Sequence, residues 1–262
     1  MQLKLITFYT YYNYNNLRKI KPLFMPTMSD SILNSLEEAA AEEAAEEVDD
    51  NNHLPLILQN IALYLKAQTI KISEKIEGEG RGGSLKDEGT IKRTLLDSPY
   101  KKYIIDVKPR GFGDMLVLDY NETDIHVVNI KTSIGSTDNC FSKRGFVYAL
   151  TSLTYNEIPK QMNFIEMYDL LIKYKKDIPN KDYWFLCIDK NNSESIMIRG
   201  AKQINNWVVN INPSNIAQVN WAKEKKCKPC IRNYEEVYEV LIGGIIKSLN
   251  SFWANIPSDW KN

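Results

Sequence analysis

The sequence predicts a mixed α/β fold of the α+β kind, because segments of helical periodicity interleave with short strands along one chain. Apolar Leu54, Ile57, Leu58, Ile61 and Leu65 recur at the spacing of one helix face, and 234–253 repeats such a pattern near the end of the sequence. Between them lie runs at 103–107, 114–120, 125–131 and 183–189, rich in Val, Ile, Tyr and Phe and bounded by turn residues.

The chain has 262 residues, 44% hydrophobic and 25% charged, the balance of an ordinary globular protein. It has no apolar run of the roughly 18–20 residues that a membrane helix needs. The formal charge is zero, with 33 basic and 33 acidic residues, but it is unevenly spread. Residues 1–52 hold four basic and nine acidic groups, net −5, so 53–262 carry 29 against 24, net +5. This divides the chain into an acidic N-terminal extension, 1–52, and a mildly basic body, 53–262.

Each element has a local cause. Residues 1–28 are Tyr/Asn-rich and aperiodic, and 31–48 form an Ala/Glu/Leu helix with a weak apolar face; an acidic tail and a DNA mimic are both open readings. The first helix of the body covers 54–65. A Gly-rich connection, Gly78 to Gly83, lacks the Gly-Lys-Ser/Thr of a phosphate loop. Ser84 reads as an N-cap with Asp87 at the N3 place, opening a helix over 86–96 with Ile91, Leu95 and Leu96 inward and Pro99 beyond its end. Strands follow at 103–107, 114–120 and 125–131, with turns at 110–113 and 121–124. Asp138-Asn139 opens a helical segment to 153. A helix near 160–174, strands at 183–189, 195–200 and 207–211, and a helix over 234–253 complete the reading.

Cysteines 140, 187, 227 and 230 are too few and scattered for a disulfide scaffold. Cys227 and Cys230 form a CxxC that could supply half a zinc site, though reduced thiols in a Lys-rich loop are the simpler reading. The first residues lack the regions of a secretory signal, so the expected location is cytoplasmic, intracellular and reducing.

The hairpin over 114–131 carries the chemistry. With a turn at 121–124, Tyr120 opposes Ile125, Asp114 opposes Lys131 and Leu116 opposes Asn129; side-chain alternation then puts Asp114, Asn129 and Lys131 on one face. A carboxylate beside a carbonyl oxygen suits Mg²⁺, which takes few protein ligands plus water. A neighbouring ammonium can orient or deprotonate a metal-bound water. Together these are parts for metal-assisted phosphodiester hydrolysis. A plain cross-strand ion pair would use the same residues.

The run Gly113-Asp114…Asn129-Ile130-Lys131 resembles the catalytic signature of the PD-(D/E)XK nuclease superfamily, with Gly in the Pro position. Residues 132–151 and the block Asn212-Pro-Ser-Asn215…Gln218-Val-Asn-Trp221 are similar to segments of a group of type II restriction endonucleases, so the resemblance spans roughly 79–225. It implies a restriction-endonuclease-like core, a central mixed β-sheet flanked by helices. It further implies a hydrolase with Mg²⁺ as cofactor, Asp114 and Asn129 as metal ligands with the Ile130 carbonyl beside them, and Lys131 acting on the attacking water. Asn129 departs from the usual Asp or Glu; an amide coordinates through oxygen but adds no charge. A supplementary acid from a preceding helix would offset this, and Glu88 is the choice because Asp87 is expected to cap.

Arg110, Lys143 and Arg144 are expected near the DNA, and Lys223, Lys225, Lys226, Lys228 and Arg232 are the densest basic patch, suited to phosphates. Asn139, Asn205, Asn206 and Asn215 are chemically able to read bases. Trp207 and Trp221 belong to the core or a dimer interface. The resemblance points to a type II restriction endonuclease cutting double-stranded DNA at a short palindromic site as a homodimer, with a cognate DNA methyltransferase as genetic partner and no membrane. A nuclease for repair or junction resolution, and a catalytically silent DNA-binding module, stay open beside it.

Overall fold

The computed structural model describes residues 54–73, 80–107, 111–133, 137–178, 180–205, 207–209 and 215–254. The extension 1–52, Arg110 and the side chain of Asn139 lie outside them. Helix α1 (Leu56–Ala67) follows Pro55 and buries Ile57, Leu58, Ile61 and Leu65, as their spacing predicts. Helix α2 (Gly80–Leu96) starts earlier than expected, so Ser84 lies inside it and does not cap. Asp87 does not cap either: its carboxylate accepts from the Ser73 N–H and hydroxyl, both at 2.7 Å. Ile91 and Leu95 face the core.

Three strands then run as a meander: β1 (Ile104–Asp106), β2 (Met115–Leu118) and β3 (Ile125–Ser133). The β2–β3 connection is longer than the expected four residues. Asp119 folds its carboxylate back onto the Thr123 and Asp124 N–H groups at 2.9 and 3.3 Å, which draws Asp119 and Tyr120 out of the strand. Met115 therefore opposes Val128 and Leu118 opposes Ile125, two residues displaced from the expected register. Asp114 lies just ahead of the paired residues of β2, with its N–H on the Val128 carbonyl, so it does not oppose Lys131. A two-residue shift preserves the facing of the paired residues, and Asn129 and Lys131 share one side of β3.

Residues 137–142 correct a second expectation. They are not the start of a helix but strand β4 (Thr137–Ser142), and helix α3 (Lys143–Leu150) begins after it with the Ser142 hydroxyl accepting from the Gly145 N–H. The cause is nonlocal, since β4 pairs with a strand some 80 residues later. Helix α4 (Phe164–Tyr174) is opened by a capping box, Asn163 and Glu166 serving each other's backbone N–H groups. Strands β5 (Tyr183–Asp189) and β6 (Asn192–Gly200) follow, then β7 (Trp207–Val209) and β8 (Asn215–Asn220). The short α5 (Trp221–Glu224) leads to the closing helix α6 (Tyr234–Ala254).

The strands form a five-stranded sheet, β1-β2-β3-β5-β6, and a three-stranded one, β4-β8-β7. In the larger sheet β3 and β5 are parallel and the other pairs antiparallel, giving a mixed central sheet flanked by helices. Strand β5 is apolar almost throughout because both of its faces are covered. Trp184, Leu186 and Ile188 enter a core with α1 and α2, while Tyr183, Phe185 and Cys187 enter one with α3, α4, α6 and the small sheet. Trp207 and Trp221 are buried in that second core. Among the described residues no helix is long and apolar enough to cross a membrane.

Candidate active site

Asp114 sits just before β2, fixed by two hydrogen bonds to the β3 backbone, one from its N–H and one to its carboxylate. Its N–H donates to the Val128 carbonyl at 2.8 Å, and its Oδ2 accepts from the Ile130 N–H at 2.6 Å. The preceding Gly113 has φ +91°, a conformation that lets the chain turn into the strand with its backbone against Val127 and Val128. Proline, whose φ is held near −65°, cannot take this shape. Phe112 is buried against Tyr148, Tyr155 and Tyr183 and anchors the turn.

The face of β3 that carries Val127 into the second core continues as Asn129 and Lys131, both half-buried. Asn129 Oδ1 is buried without a hydrogen-bond partner. An unsatisfied buried carbonyl is costly and asks for a donor or a cation. The Ile130 carbonyl opens to the same strand edge as its N–H, the edge occupied by Asp114. Lys131 Nζ lies 3.6 Å from Glu88 Oε1, with the two side chains 21% and 17% exposed. The structure thus brings together Asp114, Asn129, Ile130, Lys131 and Glu88.

Asp87 holds Glu88 at this place. Its Oδ2 pairs with Lys190 Nζ at 2.7 Å and lies 3.5 Å from the Thr132 hydroxyl, tying α2 to the ends of β3 and β5. Burial works to raise its carboxyl pKa, and the Lys190 and Ser73 bonds outweigh this and hold it low. At the site the balance reverses. Burial pushes the Asp114 carboxyl up against the pull of Lys131, the Ile130 N–H and Lys92. Burial also raises Glu88; Lys131 opposes the rise, and the charges of Asp114 and Asp87 add to it.

The expected DNA-contacting residues are dispersed. Lys143 Nζ lies 4.8 Å from the Phe164 ring centre and the Arg144 guanidinium 4.4 Å from that of Phe112, beside the Asp114 turn. In the basic patch, Lys225 is ion-paired with Asp189 and Arg232 donates to the Ile204 carbonyl at 2.5 Å, while Lys223, Lys226 and Lys228 are exposed. Asn205 donates to the Lys228 carbonyl at 2.7 Å. Cys227 and Cys230 are half-buried, and the Cys227 thiol donates to the Lys223 carbonyl at 3.4 Å. Among the described residues, no three His, Cys, Asp or Glu side chains gather as a metal cluster. Reading the sequence missed Lys92, although its place four residues after Glu88 on one helix is a usable signal. No family model, curated protein or solved structure matches this chain.

Proposed function

We propose that this chain is a Mg²⁺-dependent type II restriction endonuclease of the PD-(D/E)XK kind, hydrolysing phosphodiester bonds of double-stranded DNA at a short palindromic site as a homodimer. The buried, unpartnered Asn129 oxygen, on the strand whose Ile130 N–H holds the Asp114 carboxylate, carries this reading, since hard oxygen donors suit a small divalent cation. A central mixed sheet flanked by helices agrees with the restriction-endonuclease-like core that the sequence resemblance implies.

The residues have distinct tasks in this reading. Asp114, Asn129 and the Ile130 carbonyl would hold the metal, with Glu88 as the supplementary acid that offsets the missing charge at Asn129. The metal would supply Lewis acidity and a more acidic bound water. Lys131, steadied by Glu88, would orient the attacking water or take its proton, and its charge would oppose that building on the phosphate. Arg144 and Lys143 would serve the flanking DNA.

Incubating the protein with plasmid and Mg²⁺ tests the proposal. Discrete fragments support restriction, a smear indicates a general nuclease, and retardation without cutting indicates a binding module. Asp114→Ala and Lys131→Ala should each reduce cleavage by at least about 10²-fold with unchanged circular dichroism. Substantial cleavage by both variants would remove the assignment.

A further inference from the structure

Helix α2 carries a second lysine whose charge acts on the Asp114 carboxylate. Lys92 lies one helical turn after Glu88, on the same side of α2. Its Nζ is ion-paired with Asp106, which opposes Met115 in the β1–β2 ladder, one residue from Asp114. Lys92 and Lys131 are the two lysines whose charges act on the Asp114 carboxyl. Each is paired with an acid, Lys131 with Glu88 and Lys92 with the more exposed Asp106.

The two pairs differ in how firmly they are held. Glu88 is 17% exposed, whereas Asp106 is 61% exposed. An ion pair with an exposed acid is weak and exchanges readily for another anion. The Lys92 stem is held where α2 is anchored by its buried neighbours Ile91 and Leu95, so its ammonium can change partner without moving the helix. A phosphate arriving at Asp114 would meet that ammonium.

We propose that Lys92 is a phosphate-binding residue of this site, leaving Asp106 for a non-bridging oxygen of duplex DNA at or next to the bond that is cut. The proposal rests on the nuclease reading of the Asp114 site. It gives Lys92 and Asp106 opposite effects, because Asp106 competes with DNA for the same ammonium. A merely structural pair would give them equal ones.

The test compares wild type, Lys92→Ala, Lys92→Arg, Asp106→Asn and the Lys92→Ala/Asp106→Asn double variant, each checked by circular dichroism and thermal melting. Binding to a 30-base-pair duplex without divalent metal is followed against salt, and plasmid cleavage is followed with Mg²⁺. Lys92→Ala should weaken binding, lower the slope of log affinity against log salt by about one, and slow cleavage at saturating DNA about tenfold or more. Lys92→Arg should recover most of the binding. Asp106→Asn should tighten binding, and in the Lys92→Ala background that gain should vanish. Equal effects of the two single variants, an undiminished Asp106→Asn gain without Lys92, or cleavage by Lys92→Ala at the wild-type rate would overturn the proposal and leave the nuclease reading standing. Wild-type protein that neither binds nor cuts DNA would overturn both. If Lys92→Ala does not fold, Lys92→Gln takes its place.

Discussion

At Gly113 one residue decides where the site carboxylate lies. Its φ of +91° is open to glycine and strained for every other side chain, and an added Cβ would meet the Val127 side chain. Gly113→Ala should therefore cost about 1–3 kcal/mol of stability, measured by urea denaturation, and reduce cleavage beyond that loss by displacing Asp114. Asn129→Asp should keep activity and lower the Mg²⁺ concentration for half-maximal cleavage, because a carboxylate restores the charge the amide lacks. Loss of cleavage by a folded Asn129→Asp protein would exclude a simple ligand role. The raised carboxyls of Asp114 and Glu88 also set a pH dependence. Each binds its proton more tightly than usual, so in the proposed reading protons would compete with the cation. The half-saturating Mg²⁺ concentration should rise as pH falls toward the carboxylate range, and a titration at several pH values reads it.

The elements show what local pattern can and cannot convey. Helix α1 and strand β5 are legible because each is decided by its own periodicity, and β5 spans the expected 183–189. Strand β4 is not legible: its partner β8 lies about 80 residues on, and its polar Thr-Asp-Asn start looks like a helix opening. The hairpin is half legible. Alternation alone fixes which side chains share a face, but register depends on the turn, and the Asp119 carboxylate settles that through bonds that a run of residue types does not reveal. Local caps are tractable in return. Asn163→Ala should lower stability by about 1 kcal/mol by removing one half of the α4 capping box, measured by chemical denaturation. On β3, burial depresses the pKa of His126, with Asp124 and Asp119 opposing. The unfolded chain then takes up a proton at about pH 6.5, where the folded one resists it. Stability should fall as pH drops below that value, and His126→Leu should flatten the decline in denaturation curves between pH 7 and 5.

At the scale of the molecule, a net charge of zero hides a difference of sign between the first 52 residues and the remainder. A surplus of five positive charges is modest, and the structure spends part of it on internal pairs such as Lys190–Asp87 and Lys225–Asp189. Removing residues 1–52 should tighten non-specific binding to duplex DNA at low salt, an effect that fades as salt is raised; unchanged affinity would make the extension a bystander.

The buried Asp87 carboxylate has a consequence in time. It joins Ser73, its own helix and Lys190, so the acid beside it reaches its station only after a segment 103 residues later has been added. Contacts that distant are costly to close and form late. A growing polypeptide that has emerged only as far as β3 holds Asp114 and Lys131 but not the clasp that keeps Glu88 against them. In the proposed nuclease reading, the capacity to cut would then belong to the finished molecule, and an unfinished one would leave the DNA of the cell that makes it intact.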